Sequence, residues 1–308
     1  MGDLYVSYEY YIASTQLVLA MLGMGATLRT EDFVRVLRFP RGLALGLACV
    51  LVASPVLALA IAKAFALEPG ITAGFVLIAA VPGGTLSNIM TYFARGNVPL
   101  SISLTGAATA GCLVTTPLVL TLFVPGTDGS TYQMPVARIS AEIFFFLLLP
   151  LLAGMWIGAR FEPVRDRFSQ TCIRASLATI AVMVVGAASA GRVEAGAYGG
   201  TVILAMVCFS LALFATGFVL PRAAGLPAHD AVATGIETAY RNTSLALLVK
   251  ASVFPVVPGR ADPFADQVFF VALLYAGMAM LIVLPPTLFH RRRIRRAELA
   301  ATGGIADP

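Results

Sequence analysis

Between residues 9 and 289 the chain is a succession of long apolar runs, near residues 9–27, 42–66, 71–94, 99–123, 138–159, 172–190, 199–220, 229–252 and 267–289. Short stretches carrying charge, glycine or proline separate them. A helix crossing ~30 Å of hydrocarbon at 1.5 Å per residue needs about 20 mostly apolar residues. Each run is about that long, and together they consume most of the 308 residues. The pattern therefore predicts an all-α integral membrane protein with nine transmembrane helices in the lipid bilayer, and it leaves no room for a folded soluble domain. A transmembrane barrel would require alternation with a period of two, whereas these runs are continuous. Composition agrees: 12% of the residues are charged, against about 25% in soluble domains.

The 21 basic residues orient these helices. Arg291, Arg292, Arg293, Arg295 and Arg296 crowd behind the last run. The positive-inside rule assigns such a basic tail, residues 290–308, to the cytoplasm, and juxtamembrane arginine of this kind gives no reason to expect a nucleic-acid partner. Nine spans put the termini on opposite sides. Arg29, Arg35, Arg38, Arg41, Arg95, Arg160, Arg165, Arg167, Arg174 and Arg222 then also lie inside, and Lys63, Arg138, Arg192, Lys250 and Arg260 outside. The expected location is the cell inner membrane, multi-pass, with the N-terminus outside. The opening MGDLYVSYEYYIAS has no basic n-region, so a cleaved signal peptide is not expected. Cys49, Cys112, Cys172 and Cys208 lack metal-like spacing and read as small core residues.

One basic residue, Arg241, falls in the interior of the eighth run, together with Glu237. Glu142, near the outer end of the fifth run, can reach the interface. Ionisable groups at membrane depth are costly and mark functional sites by default. The third run contains Pro82, Gly83, Gly84 and Thr85 in its middle, followed by Ser87 and Asn88. A missing N–H, two permissive residues and a polar cluster predict a broken helix there. The eighth holds Glu237, Thr238, Tyr240, Arg241, Asn242, Thr243 and Ser244 in one polar knot. Each unusual span is followed by one more helix, and interrupted segments at matched positions are the signature of an inverted-repeat secondary transporter. The plainer reading is proline kinks with small polar residues as helix–helix glue. An enzyme is not expected: the interior offers no His and Asp beside a nucleophilic Ser and no metal-type cluster, since His229 is at a loop edge and His290 in the tail. A sensor would have no soluble output domain.

The stretch VPGGTLSNIMTYFARGNVPLSISLT, Val81 to Thr105, together with GIETAYRNTSLA, Gly235 to Ala246, resembles the crossover motifs of the bile acid:sodium symporter family. GMGATLRTEDFVRVLRFPR, Gly23 to Arg41, is similar to that family's loop after its first shared helix. The resemblance covers essentially the whole chain. Bacterial members often have ten helices in two inverted repeats of five; the resemblance implies for this chain no counterpart of the first of these and a topology like that of the nine-helix, N-outside animal members. The resemblance implies a secondary active transporter that takes up an organic anion with sodium by alternating access and uses no organic cofactor. It implies a panel domain of helices near 9–27, 138–159 and 172–190, and a core domain of helices near 42–66, 71–94, 99–123, 199–220, 229–252 and 267–289. It maps the first of two sodium sites onto Ser87, Asn88, Ser101, Thr105 and Glu237. Hard cations take oxygen ligands of this kind, and Ser101 and Thr105, four apart, share one helix face. Candidates for the anion are the groups at the half-helix starts, Thr85 and Leu86 through their backbone, Ser87 and Asn242, of which the resemblance implies that Thr85 and Asn242 face the cavity; Tyr240 is a further candidate that packs as readily as it lines the cavity. The ninth run, FFVALLYAGMAMLIVL, offers almost no polar contact. Small metabolic anions are as plausible a cargo as bile acids.

The second sodium site does not carry over. The family builds it from the same glutamate, backbone carbonyls at the positions of Thr238 and Tyr240, and two glutamine side chains, whose positions here are Val50 and Arg241. Valine offers no side-chain oxygen, and arginine is a permanent cation with donors only. One expectation is that the Arg241 guanidinium replaces the second sodium, balances Glu237 and leaves one sodium per cycle. A second is that Arg241 binds a substrate carboxylate bidentately. The plainest is that it faces a water-filled vestibule without special role. The alternative function is a sodium-independent or proton-coupled anion exchanger using Glu237 and Arg241.

Overall fold

A computed structural model describes residues 2–29, 31, 40–124, 135–192, 199–257 and 262–301. Arg35, Arg38 and Arg260 lie outside the described residues, as do the side chains of Thr85, Arg293, Arg295 and Arg296. The described chain is all-helical: α1 (Gly2–Thr27), α2 (Pro40–Ala64), α3 (Pro69–Ala80), α4 (Thr85–Phe93), α5 (Val98–Phe123), α6 (Val136–Arg160), α7 (Arg165–Ser189), α8 (Gly199–Ala223), α9 (Ala228–Ala239), α10 (Thr243–Val253) and α11 (Pro263–Ala301). Among the described residues, six helical stretches are long and apolar enough to cross a membrane: α2, α5, α6, Glu162–Ser189, α8 and the part of α11 up to Arg292. α1 is as long but carries Tyr5, Tyr8, Tyr10, Tyr11, Glu9 and Gln16.

The runs at 71–94 and 229–252 are each divided in two, α3 with α4 and α9 with α10. α3 and α9 have 12 residues each, about 18 Å of helix and too short to span. Nearly every residue of both is buried; α3 is apolar on all faces, as a helix at the centre of a bundle should be, whereas α9 buries Asp230, Thr234, Glu237 and Thr238 as well. Elsewhere the helices outrun the apolar runs. α7 starts at Arg165, not near residue 172, and α11 continues to Ala301. Hydropathy marks where the chain meets lipid, whereas a helix can continue into water through a polar stretch such as RDRFSQ.

α2 and α6 each contain a π-turn, Cys49–Ala53 and Ile143–Leu148. Both lie just before a proline, Pro55 and Pro150, whose missing N–H disturbs the hydrogen-bond ladder of the preceding turn. α1 packs on α6 and α7, while α8 packs on α9 and α11 on α3. The α1–α6 contact depends on glycine: a Cβ on Gly25 would sit 2.1 Å from Leu151 O, on Gly154 2.4 Å from Leu22 O, and on Gly158 2.2 Å from Ala26 O. Small residues four apart let membrane helices approach this closely. α1 also meets α10, and α5 meets α6.

Candidate site at the crossing of the broken helices

The breaks Val81–Gly84 and Tyr240–Asn242 run antiparallel past each other. Gly83 and Arg241 form an isolated bridge, the Gly84 N–H donates to Tyr240 O (3.1 Å), and the Asn242 N–H donates to Pro82 O (2.8 Å). A carbonyl freed in the membrane interior must find another donor, and several here have a side-chain partner. Thr116 Oγ1 donates to Ala80 O (2.7 Å), Arg241 Nη1 to Val81 O (3.0 Å), Ser87 Oγ to Gly84 O (2.6 Å), and the Tyr275 hydroxyl to Ala239 O. Tyr275 belongs to the ninth run, from which almost no polar contact was expected. Its ring is fully buried and only its hydroxyl reaches the break.

Glu237, two turns into α9, is fully buried. Thr105 Oγ1 donates to its Oε1 (2.7 Å) and Ser101 Oγ to its Oε2 (3.3 Å). Asn88 Oδ1 is 2.9 Å from Ser101 Oγ and 3.4 Å from Thr105 Oγ1. Ser87 is buried beside Asn88 in the first turn of α4. Five sequence-selected residues thus fall on three adjoining helices, and Asn88, Ser101, Thr105 and Glu237 share one hydrogen-bonded group. Thr91, one turn beyond Asn88, joins it by donating to Ser101 Oγ (3.1 Å); the i, i+3 spacing from Asn88 was the available signal. The register of α5 against α9 is tied at a second point, where Asn97 Nδ2 donates to Asp230 Oδ1 (2.7 Å). Asn97 to Thr105 and Asp230 to Glu237 are nearly equal rises, so α5 and α9 run parallel from N-terminal ends at one level. Gly83 completes the pocket wall: a Cβ there would lie 1.8 Å from Glu237 Oε1. The arrangement is a set of carboxylate, amide and hydroxyl oxygens suited to a hard monovalent cation. Among the described residues no cluster of His, Cys, Asp and Glu offers a transition-metal site.

Arg241 is 6% exposed, and its guanidinium lies on backbone carbonyls: Nη1 on Val81 O (3.0 Å) and Nη2 on Val50 O (3.2 Å), with Nε unpartnered. No ion pair within 4.0 Å joins it to Glu237 among the described residues. The local sequence accounts for the free carbonyl. The Ser54 N–H goes to Cys49 O in the π-turn, and Pro55, five residues after Val50, has no N–H to give. Val81 O lies at the C-terminal end of α3, where the helix dipole favours a cation. Of the two backbone carbonyls expected near a second ion, Tyr240 O accepts from the Gly84 N–H (3.1 Å), while at Thr238 the side-chain hydroxyl donates to Thr234 O (2.7 Å).

The candidate anion contacts lie at the same crossing. Asn242 caps α10, accepting from the Leu245 N–H (3.1 Å), and its Nδ2 is 3.9 Å from Met21 Sδ. Leu86 is 51% exposed in the first turn of α4, and the N-termini of α4 and α10 both open at the crossing, where backbone N–H groups favour an anion. The sequence did not single out Gln16 of α1, whose Nε2 donates to Ser176 Oγ (2.8 Å) of α7 and Ser244 Oγ (2.9 Å) of α10.

Comparison with known proteins places this geometry in context. The model of the sodium bile acid symporter family matches residues 15–194. The probable sodium/metabolite cotransporter BASS2 of rice, a chloroplast protein, is 29% identical over 84% of this chain and 61% of its own. The uncharacterized sodium-dependent transporter YocS of Bacillus subtilis is 28% identical over 76% of this chain and 72% of its own. The rabbit ileal sodium/bile acid cotransporter is 28% identical over 78% and 69%. The chain spans about three fifths of the length of the chloroplast relatives it matches.

Proposed function

The chain belongs to the sodium bile acid symporter family, and from that premise we propose that it takes up an organic carboxylate together with sodium across the inner membrane, the N-terminus outside. The observation that carries the proposal is the convergence of Glu237, Asn88, Ser101 and Thr105 oxygens where two broken helices cross. Ser87, Asn88, Ser101, Thr105 and Glu237 hold one sodium ion. The anion binds against Thr85, Leu86 and Asn242 at the N-termini of α4 and α10, next to the sodium, so that each charge favours the other. α1, α6 and α7 form the panel, the remaining helices form the core as two inverted repeats, and relative movement of the two exposes the site to either side.

Arg241 stands in for the second sodium. Val50 and Val81 carbonyls hold its guanidinium, the kind of oxygen cage that a bare cation would otherwise occupy. Its charge offsets Glu237 across the crossing without direct contact. The reading in which Arg241 clamps the substrate is less well supported, because two of its nitrogens are already committed to backbone.

The test is a thermal-shift screen of small carboxylates on purified protein, with and without sodium, followed by vesicle uptake with sodium replaced by choline at fixed pH. A carboxylate whose stabilisation grows with sodium is expected, since linkage between two sites is reciprocal. Uptake of that carboxylate at equal rates in choline would overturn sodium coupling in favour of an exchanger.

A further inference from the structure

A second set of buried charges lies away from the crossing. Arg192, just after α7, donates from Nη1 to Glu9 Oε2 of α1 (2.9 Å) and from Nε to Asp266 of α11. Lys250 of α10 donates to Glu9 Oε1 (2.9 Å). The Phe269 ring lies under both cations, 5.0 Å from Arg192 Cζ and 5.4 Å from Lys250 Nζ. Lys250 is 0% exposed, Glu9 4% and Arg192 6%. From sequence, Arg192 and Lys250 counted as charges facing the outer water and Glu142 as one reaching the interface; all three are buried.

The pairs join two groups of helices. Glu9 and Arg192 belong with α1 and α7, and Lys250 and Asp266 with α10 and α11. Glu142 of α6 adds a third link, accepting from Ser252 Oγ of α10 (2.8 Å) and from Tyr10 OH (3.1 Å). Deeper along the same seam follow Gln16 with Ser244 and Met21 with Asn242. From Glu9 to Met21, about 18 Å of α1, polar contacts join α1 to α10. At the other end of the crossing, α4 leaves Leu86, Ile89, Tyr92 and Phe93 exposed.

We propose that Glu9, Arg192, Lys250 and Asp266 form a latch that shuts the outer end of the transport path and is pulled apart when that path opens outward. The inference rests on the transporter reading and its core and panel. Ion pairs of 2.9 Å cannot survive movement of one group of helices along the other. Two carboxylates and two cations make the quartet neutral. Paired in the seam, the four charges compensate each other; separated, they face incoming water, so neither state is left with an unpaired charge in a dry seam. A purely apolar seam would gain nothing from water on opening, whereas a neutral ionic one is compensated both ways.

The latch can be tested without substrate. With the four native cysteines replaced by alanine, Ser244→Cys places a thiol at the deep end of the seam, and a membrane-impermeant maleimide is added outside intact cells. Slow labelling is expected in this background. Glu9→Gln leaves Lys250 buried without its carboxylate and should speed labelling at least about tenfold. Asp266→Asn, nearer the surface, should give a smaller rise and carries the test should Glu9→Gln fail to fold. Adding Lys250→Met to Glu9→Gln removes the stranded charge and should return labelling to the background rate or below. If labelling stays unchanged in the folded single variants while their melting temperatures fall, or if the double variant labels faster than the single one, the quartet is a static brace and the proposal fails. The readout needs neither sodium nor carboxylate, so a loss of sodium coupling in the uptake assay would leave it intact.

Discussion

Gly83 and Gly84 are adjacent, look alike in the sequence, and differ in what they must accommodate. Gly84 has extended backbone, and a Cβ on it would meet nothing closer than Arg241 O at 3.4 Å. On Gly83 the same atom would fall 1.8 Å from Glu237 Oε1. Gly83→Ala is therefore expected to abolish sodium-dependent thermal stabilisation while Gly84→Ala retains it. Thr105→Val removes the 2.7 Å bond to Glu237 and one proposed ligand, and should raise the sodium concentration for half-maximal stabilisation about tenfold, since a hydrogen bond to a charged group contributes ~1.5–3 kcal/mol. At this scale the sequence was informative where several unusual residues cluster. Glu237 and Arg241 stood out as charges in an apolar run, whereas Ser101 and Thr105 came only with the family resemblance, their spacing of four placing them on one helix face. Gln16, Thr116 and Tyr275 did not, because a single polar side chain in a long apolar helix has no meaning until the partner it reaches is known.

The first break was legible because Pro82 removes a donor and Gly83 and Gly84 remove side chains at one place, and the second because a polar knot from Glu237 to Ser244 interrupts an apolar run. The π-turns before Pro55 and Pro150 were not, since one proline in a membrane helix is compatible with a kink, a bulge or a local repair. The repair at α9 depends on a distant element: the Tyr275 hydroxyl of α11 supplies the donor that the chain lacks at Ala239 O. Tyr275→Phe strands that carbonyl in a dry interior and should cost about 1–3 kcal/mol of stability, visible as a lower melting temperature with the sodium Hill coefficient unchanged. A raised sodium concentration for half-maximal uptake in that variant would mean that the tyrosine acts on the ion as well as on the helix.

For the whole molecule, the apolar runs fixed the all-helical class, and the divided spans the place where two interrupted elements meet. The packing of α1 on α6 and α7 was outside the reach of hydropathy, because the glycines that allow it are indistinguishable by composition from those in loops. The proposal of one sodium per cycle belongs at this scale. Uptake in vesicles should rise with sodium with a Hill coefficient near one. Arg241→Gln alone should impair uptake, and Arg241→Gln with Val50→Gln should restore part of it and move the coefficient toward two; a coefficient near two in the parent protein would refute the substitution of Arg241 for an ion. A cation tethered to the protein never dissociates, and this has an electrical consequence. The empty crossing, with Glu237 and Arg241, is neutral, and so is the crossing loaded with one sodium and one monocarboxylate. A charge moved through the membrane field is worth about 2.3 kcal/mol per 100 mV, and a carrier neutral on both legs of its cycle neither gains nor loses that energy. It would concentrate its cargo by the sodium gradient alone, at the same rate in energised and depolarised cells.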